Sequence, residues 1–234
     1  MKPVIDVQNL SKHYTLTPDG TQGSLKTAFM NLLPFGPKHV GEGRKDFWAL
    51  KDVSFTVQPG EILGVTGKNG SGKSTLLKIL SRITAPTEGR AIIRGRLQSL
   101  LEVGTGFHPD LTGRENVYLS CAIYGMNNDE TNAIFEDIIT FSGIGDFIDI
   151  PVKYYSSGMG VRLAFSISAF VQADIIFLDE IWAVGDLEFQ EKSMKKMHEL
   201  ISSGATVLTV SHEPSIIKKF CTRTILLDKG RLIS

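Results

Sequence analysis

Gly67-Lys68-Asn69-Gly70-Ser71-Gly72-Lys73-Ser74-Thr75 follows the apolar run Ile62 to Val65 and precedes Leu76, Leu77, Ile79 and Leu80. This reads as a buried strand, a tight glycine turn and an amphipathic helix. Spaced glycines let the backbone curl so that several N–H groups converge on one anion. The helix start adds unpaired N–H groups and the positive end of its dipole. At this spacing Lys73 reaches the β- and γ-phosphates of a nucleotide, and Ser74 offers a hydroxyl to Mg²⁺. Gly67, Asn69, Gly70, Ser71, Gly72 and Thr75 complete the phosphate-binding pattern. A glycine-rich turn without a ligand would not need every one of these positions filled, so triphosphate binding is the first expectation.

The surroundings agree with one large α/β domain spanning 1–234. Of the 234 residues 42% are hydrophobic, enough for a sizeable core, and acids and bases balance at 25 each for a net charge of +0. That balance counts against a dedicated nucleic-acid binder, which carries a basic patch. Cys121 and Cys221 are isolated and signal neither a disulfide framework nor a zinc site. The start of the chain lacks a secretory apolar core, and no run is long enough to cross a bilayer. A soluble, cytosolic protein with a possible membrane partner is expected.

Working outward, Val4 to Tyr14 and Trp48 to Val57 read as strands. Between them an insert, 15–47, is punctuated by proline and glycine. Within it Ser24 to Leu33 has helical spacing, with Leu25, Phe29, Leu32 and Leu33 on one face. That helix either lies on its own domain or awaits a partner. Short strands are expected at Ala91 to Ile93 and Leu97 to Leu101. Helices are expected at Arg114 to Tyr124, Asp129 to Phe141 and Ser156 to Phe170, and together they suggest a helical subdomain over about 103–170. A buried strand, Asp174 to Leu178, runs into Asp179-Glu180. A helix from Leu187 to Ser202, a strand from Ala205 to Val210, a short helix from Pro214 to Phe220 and a terminal hairpin follow. The chain stops just after the hairpin, which leaves a longer natural protein open.

Asp179 and Glu180 end an apolar strand, at the edge where parallel sheets bind ligands. Asp179 suits a second Mg²⁺ anchor and Glu180 a group that polarises the attacking water; alone, the pair could simply cap the next helix. His212 ends the following strand and can contact a γ-phosphate, although an isolated histidine is more often a surface residue. Ser156 and Gly158 open a helix and form a second anion cradle, or an ordinary cap. One chain cannot readily place both cradles on one nucleotide. A symmetric dimer, each copy covering the other's phosphate loop, resolves this.

Taken together, the ordered set resembles the ATP-binding subunit of an ABC transporter over essentially the whole chain. Ser156-Ser157-Gly158-Met159 resembles the signature motif, and Asp179-Glu180 the second nucleotide motif with its catalytic glutamate. Ala183-Val184-Gly185-Asp186 is similar to the dimer-contact loop, and His212 to the switch histidine. Tyr14 stands where the family has an adenine-stacking aromatic, with Phe47 and Trp48 as competitors. A narrower resemblance is to exporters of lipid-linked O-antigen, capsule and teichoic acid. It rests on Leu100 to Asn116 (LLEVGTGFHPDLTGREN), Tyr155 to Met159, Ala183 to Asp186 and the insert before Trp48. Some such chains continue into a carbohydrate-binding domain.

The resemblance implies a P-loop NTPase of ABC type, with a mixed sheet core, a helical lobe and an antiparallel N-terminal β region. It implies ATP and Mg²⁺, Lys73, Glu180 and His212 in catalysis, a homodimer in the ATP-bound state and an integral membrane permease. The complex would handle a lipid-linked glycan, not nucleic acid, at the cytoplasmic face of the cell membrane. A soluble ABC-type ATPase acting on nucleic acid or ribosomes, or an importer subunit, is the alternative. Two motifs depart from the family. Glu102 stands near the usual glutamine and either binds Mg²⁺ or water or joins the lobes. The signature has Ser157 and Met159 where many relatives have glycine and glutamine, and Met159 is expected to pack.

Overall fold

The computed structural model describes residues 2–16, 45–100, 106–178, 185–210 and 214–233. Its strands are β1 (Ile5–Leu16), β2 (Lys45–Val57), β3 (Ile62–Thr66), β4 (Glu88–Ile93), β5 (Leu97–Ser99), β6 (Ile175–Leu178), β7 (Thr206–Val210), β8 (Arg223–Asp228) and β9 (Arg231–Leu232). Its helices are α1 (Lys73–Leu80), α2 (Gly113–Ile123), α3 (Asn128–Ser142), α4 (Ser157–Phe170), α5 (Leu187–Ser202) and α6 (Pro214–Phe220).

Two sheets result. One is antiparallel in the order β2-β1-β4. The other runs β5-β6-β7-β3-β8-β9, parallel from β5 to β8, with β9 returning antiparallel. β6 and β7 are buried along their whole length. Continuous apolar runs of this kind suit strands covered on both faces. Side chains then alternate between two cores. Ile175, Phe177, Leu208 and Val210 join α1 and the antiparallel sheet. Ile176, Leu178 and Val207 join Phe189, Met197 and Ile201 of α5.

A third core lies among α2, α3 and α4, around Val117, Cys121, Phe135, Ile138, Leu163 and Ile167. Two capping boxes start its first two helices, Thr112 with Glu115 and Asn127 with Glu130. Each satisfies backbone donors that a helix end otherwise leaves open. The fully buried Asn116 fixes the preceding loop. Its Oδ1 accepts from His108 N, while Nδ2 donates to the carbonyls of His108, Leu111 and Thr112. α4 serves two cores: Leu163 and Ile167 face the helical one, Phe165 and Ala169 the sheet.

The sequence-predicted elements are largely present, with three differences. β1 and β2 run further than expected and pair to Leu16↔Lys45, so residues 15–16 and 45–47 of the expected insert are strand. The rest of that insert, including the helix expected at 24–33, lies outside the described residues. β5 stops at Ser99. β8 belongs to the parallel sheet beside β3 as well as to the terminal hairpin. Among the described residues no helix is long and apolar enough to cross a membrane.

Candidate active site

The turn between β3 and α1 is held by its neighbours' backbones. Gly67, Gly70 and Gly72 have φ of 149°, 78° and 108°, a region glycine enters without the Cβ penalty. A Cβ on Gly67 would lie 2.2 Å from the Leu227 carbonyl oxygen, and one on Gly72 2.4 Å from that of Ala49. β8 and β2 therefore press directly on the loop. The β8–β9 turn ties it further: Gly230 N donates to Ser71 O at 2.9 Å, and Lys51 N donates to Gly230 O at 2.8 Å. Lys73 Nζ donates to Gly67 O at 2.7 Å and to Lys68 O at 3.1 Å, and the residue is only 8% exposed. The ammonium is thus fixed against the loop. Ser71 Oγ is buried with no hydrogen-bond partner among the described residues.

Beside the loop lies a cleft of about 580 Å³, lined by Phe47, Trp48 and Ala49 of β2, by Asn69, Gly70 and Gly72 to Thr75, and by Val210 and Lys229. Lys73 brings positive charge, Ser74 a hard hydroxyl donor of the type magnesium takes, and two aromatic rings an apolar wall. That donor set fits a Mg²⁺-nucleotide, and glycine at 67 and 72 lets the loop lie directly against the Leu227 and Ala49 carbonyls. Gly67 and Ser71 are not among the residues that line the cleft.

Tyr14 does not line it. Its ring stacks on that of Phe47 at 5.6 Å, and it is Phe47, 43% exposed, that lines the cleft. Trp48 is braced by His13, ring to ring at 5.0 Å. The pairings Tyr14↔Phe47 and His13↔Trp48 arise from the extended β1–β2 register. Lys229, at φ 44°, was missed as a cleft residue. The Asp228-Lys229-Gly230 turn was visible in the sequence, but its approach to the loop depends on β8 lying beside β3.

Asp179, Glu180, His212 and Glu102 lie outside the described residues. Their strands are placed, however: β6 ends at Leu178 and β7 at Val210, both parallel to β3, so the chain leaves both at the edge that carries the phosphate loop.

Ser156 caps α4, its Oγ accepting from Met159 N at 3.2 Å. Ser156 and Gly158 are exposed. A Cβ on Gly158 would meet only Ser156 Oγ, at 4.0 Å, so packing among the described residues does not require glycine there. Met159 packs against the helical core, as expected. Further along α4, Arg162 Nη1 lies 3.6 Å from Asp186 Oδ2, while Asp186 Oδ1 caps α5 by accepting from Phe189 N at 3.0 Å. The start of α5 is thereby clasped to the helix that carries the second cradle.

Comparison with known proteins adds the lineage. Residues 50–183 match the family model described as ABC transporter. The chain is 42% identical to an O-antigen export system ATP-binding protein, RfbB, of Klebsiella pneumoniae, over 99% of this chain and 93% of that one. It is also 42% identical to the teichoic acids export ATP-binding protein TagH of Lactococcus lactis, over 99% of this chain and 48% of TagH. Among solved structures, the post-hydrolysis dimer of the ATP-binding cassette MJ0796 with ADP and Pi is similar at a TM-score of 0.68 and 23% identity, covering 98% of this chain and 97% of that one.

Proposed function

This chain belongs to the ABC transporter family, and from that premise we propose that it hydrolyses ATP to drive export of a lipid-linked polysaccharide through a separate membrane subunit. The observation that carries the chemistry is the phosphate cradle with Lys73 fixed at the loop, opening on an aromatic-walled cleft. Similarity over 99% of this chain to O-antigen and teichoic acid export proteins, covering 93% of the first and 48% of the second, supports the cargo class. The balanced charge favours neither a nucleic-acid nor a ribosome-acting ATPase.

In this reading the loop N–H groups and Lys73 hold the β- and γ-phosphates and stabilise charge that grows during phosphoryl transfer. Phe47, backed by Tyr14, offers its face to the base, with Trp48 beside it. Ser74 and Asp179 hold Mg²⁺, which when bound neutralises phosphate charge; Glu102 is a further candidate ligand. Glu180 orients or deprotonates the water and His212 braces it. Ser156 and Gly158 of a second copy close over the nucleotide, which accounts for a cradle left exposed in one chain. Closure moves the helical lobe, which grips the permease at the cytoplasmic face of the membrane.

The test is ATP turnover of the complex with its membrane subunit, comparing the parent with Glu180→Gln. The loss of a general base should lower turnover about a hundredfold or more while nucleotide still binds. Near-normal turnover would remove Glu180 from its role. Identifying the lipid-linked glycan that co-purifies with the membrane subunit tests the cargo; a complex that carries no such lipid in a producing cell would contradict export.

A further inference from the structure

Among the described residues, two cations line the nucleotide cleft: Lys73 and Lys229. Lys229 sits in the two-residue turn Lys229-Gly230, which joins β8 to β9 after the pair Asp228↔Arg231. Both turn residues have positive φ, 44° and 78°. That is the pattern of a type I′ hairpin turn, whose first position suits asparagine, aspartate or glycine. Lysine has neither glycine's freedom nor a short side chain that bonds to nearby backbone. A long cationic residue held in the left-handed region is an outlier, and such outliers cluster at active sites and ligand clamps.

The turn is tied to both walls of the cleft. Through Gly230 N it donates to Ser71 O of the phosphate loop at 2.9 Å, and Gly230 O accepts from Lys51 N at 2.8 Å. A Cβ on Gly230 would lie 2.8 Å from the Ala49 carbonyl oxygen and 3.2 Å from Leu50 Cα. The turn therefore bridges the phosphate loop and the part of β2 that directly follows Phe47 and Trp48. Lys229 lines the cleft at the seam between the loop and the aromatic wall.

Its charge is uncommitted. Lys229 is exposed, and among the described residues its side chain makes no hydrogen bond, ion pair or ring contact. The neighbouring cations are engaged: Lys73 Nζ donates to Gly67 O and Lys68 O, and Lys51 lies over the Trp48 ring at 5.8 Å. A nucleotide with its base on the aromatic wall and its β- and γ-phosphates in the loop brings its ribose and α-phosphate to the seam. A lysine there is a compact positive charge on a flexible stem, suited to a phosphate oxygen.

We propose that Lys229 pairs with the α-phosphate of the bound nucleotide. This rests on the ATP-binding reading above and adds a positioning residue to it. The α-phosphate is common to ATP and ADP, so the contact holds the nucleotide equally before and after hydrolysis. It contributes to affinity without discriminating between the two, whereas Lys73 acts on the phosphates that react. Because the turn hangs from Ser71 O, the charge at the seam also stays in register with the loop.

The experiment uses the full chain carrying Glu180→Gln, so that bound ATP is not turned over during the titration. Calorimetric titration with Mg²⁺-ATP and with Mg²⁺-ADP compares Lys229, Lys229→Asn and Lys229→Arg. Asparagine suits the turn, so Lys229→Asn should melt no lower than its parent without nucleotide. It should nevertheless weaken ATP and ADP by the same factor, about tenfold, as loss of a charge-assisted contact does. That factor should shrink as salt is raised, and Lys229→Arg should regain most of the affinity. Lys229→Asn binding both nucleotides like its parent overturns the contact. A loss for ATP well beyond that for ADP overturns the α-phosphate assignment, and Lys229→Arg no tighter than Lys229→Asn overturns the charge pairing. Each of these leaves the function standing, because Lys73 and the loop still hold nucleotide. A parent that binds neither nucleotide overturns both.

Discussion

At the scale of single residues, the phosphate loop is shaped by backbone close to glycine. Gly72→Ala would place a methyl 2.4 Å from the Ala49 carbonyl at a φ of 108°. Strain of about 1–3 kcal/mol is expected from the dihedral alone, hence a melting point lower by about 5 °C and loss of nucleotide binding. An unchanged melting curve with normal binding would mean the loop is freer than its neighbours suggest. The aromatic wall gives a sharper contrast. A base stacked on an aromatic side chain gains about 1–3 kcal/mol, so Phe47→Ala should weaken binding of a fluorescent ATP analogue roughly tenfold. Tyr14→Ala should do less, because Tyr14 only backs Phe47. Equal losses, or a larger one at Tyr14, would return the platform to Tyr14. The phosphate residues were legible because their function demands fixed residue types at fixed spacing. The aromatic was ambiguous because only the strand register decides which ring faces the cleft.

At the scale of elements, Asp186 does two separable things. It caps α5 and it pairs with Arg162 across to α4. Asp186→Ala should cost about 1 kcal/mol through the lost cap. Asp186→Asn keeps the cap and should cost less, since a pair this exposed contributes little; urea unfolding of both variants measures the difference. The helical lobe also has an acid-sensitive surface. Hydrogen bonds from Lys153, from Thr112, from Asn127 and Arg96, and from Arg114 hold Asp110, Glu115, Glu130 and Asp149 below the usual carboxylate range. Depressed folded-state values mean that these groups stabilise the fold above the unfolded carboxylate range, about pH 4. That contribution is lost as pH falls through their lower folded values. Amide exchange in α2 and α3 should therefore accelerate below about pH 4 before it does in β6 and β7; simultaneous acceleration would contradict this. Elements with one clean period were readable: α5 begins and ends as its spacing predicts, with Phe189, Ser193, Met197 and Ile201 buried at every fourth residue. β8 was not fully readable, because pairing with β3 is non-local and leaves no mark in the local alternation.

At the scale of the whole molecule, the described residues form two cores on either side of one sheet and a third among the lobe helices, and α4 links the lobe to the sheet. Its residues 163 to 169 are all buried, Ser166 and Ser168 included; the helical spacing shows a stripe of Leu163, Ile167 and Phe170 with Phe165 and Ala169 beside it, but not that the two sets serve different cores. Leu163 and Ile167 go one way, Phe165 and Ala169 the other, where Phe165 meets Phe141 and Phe189 at ring-centroid distances of 6.2 and 5.8 Å. The aromatic group draws on α3, α4 and α5 together and forms one packed joint between the lobe helices and the start of α5. The two faces of α4 should therefore fail differently. Leu163→Ala opens a cavity in the lobe, at a cost of about 2–5 kcal/mol, while the phosphate loop belongs to another core. Exchange should rise in α2 and α3 with ATP affinity of the monomer nearly unchanged. Phe165→Ala, costing about 3–5 kcal/mol, removes the ring at the joint itself. It should loosen α5 as well as the lobe and reduce ATP-dependent dimerisation more than Leu163→Ala does, because the start of α5 loses the ring that Phe189 packs on. Hydrogen exchange on both variants, read beside their dimer dissociation constants, decides the matter. If Leu163→Ala impairs dimerisation as much as Phe165→Ala, the lobe transmits its state to the interface by a route other than this aromatic joint.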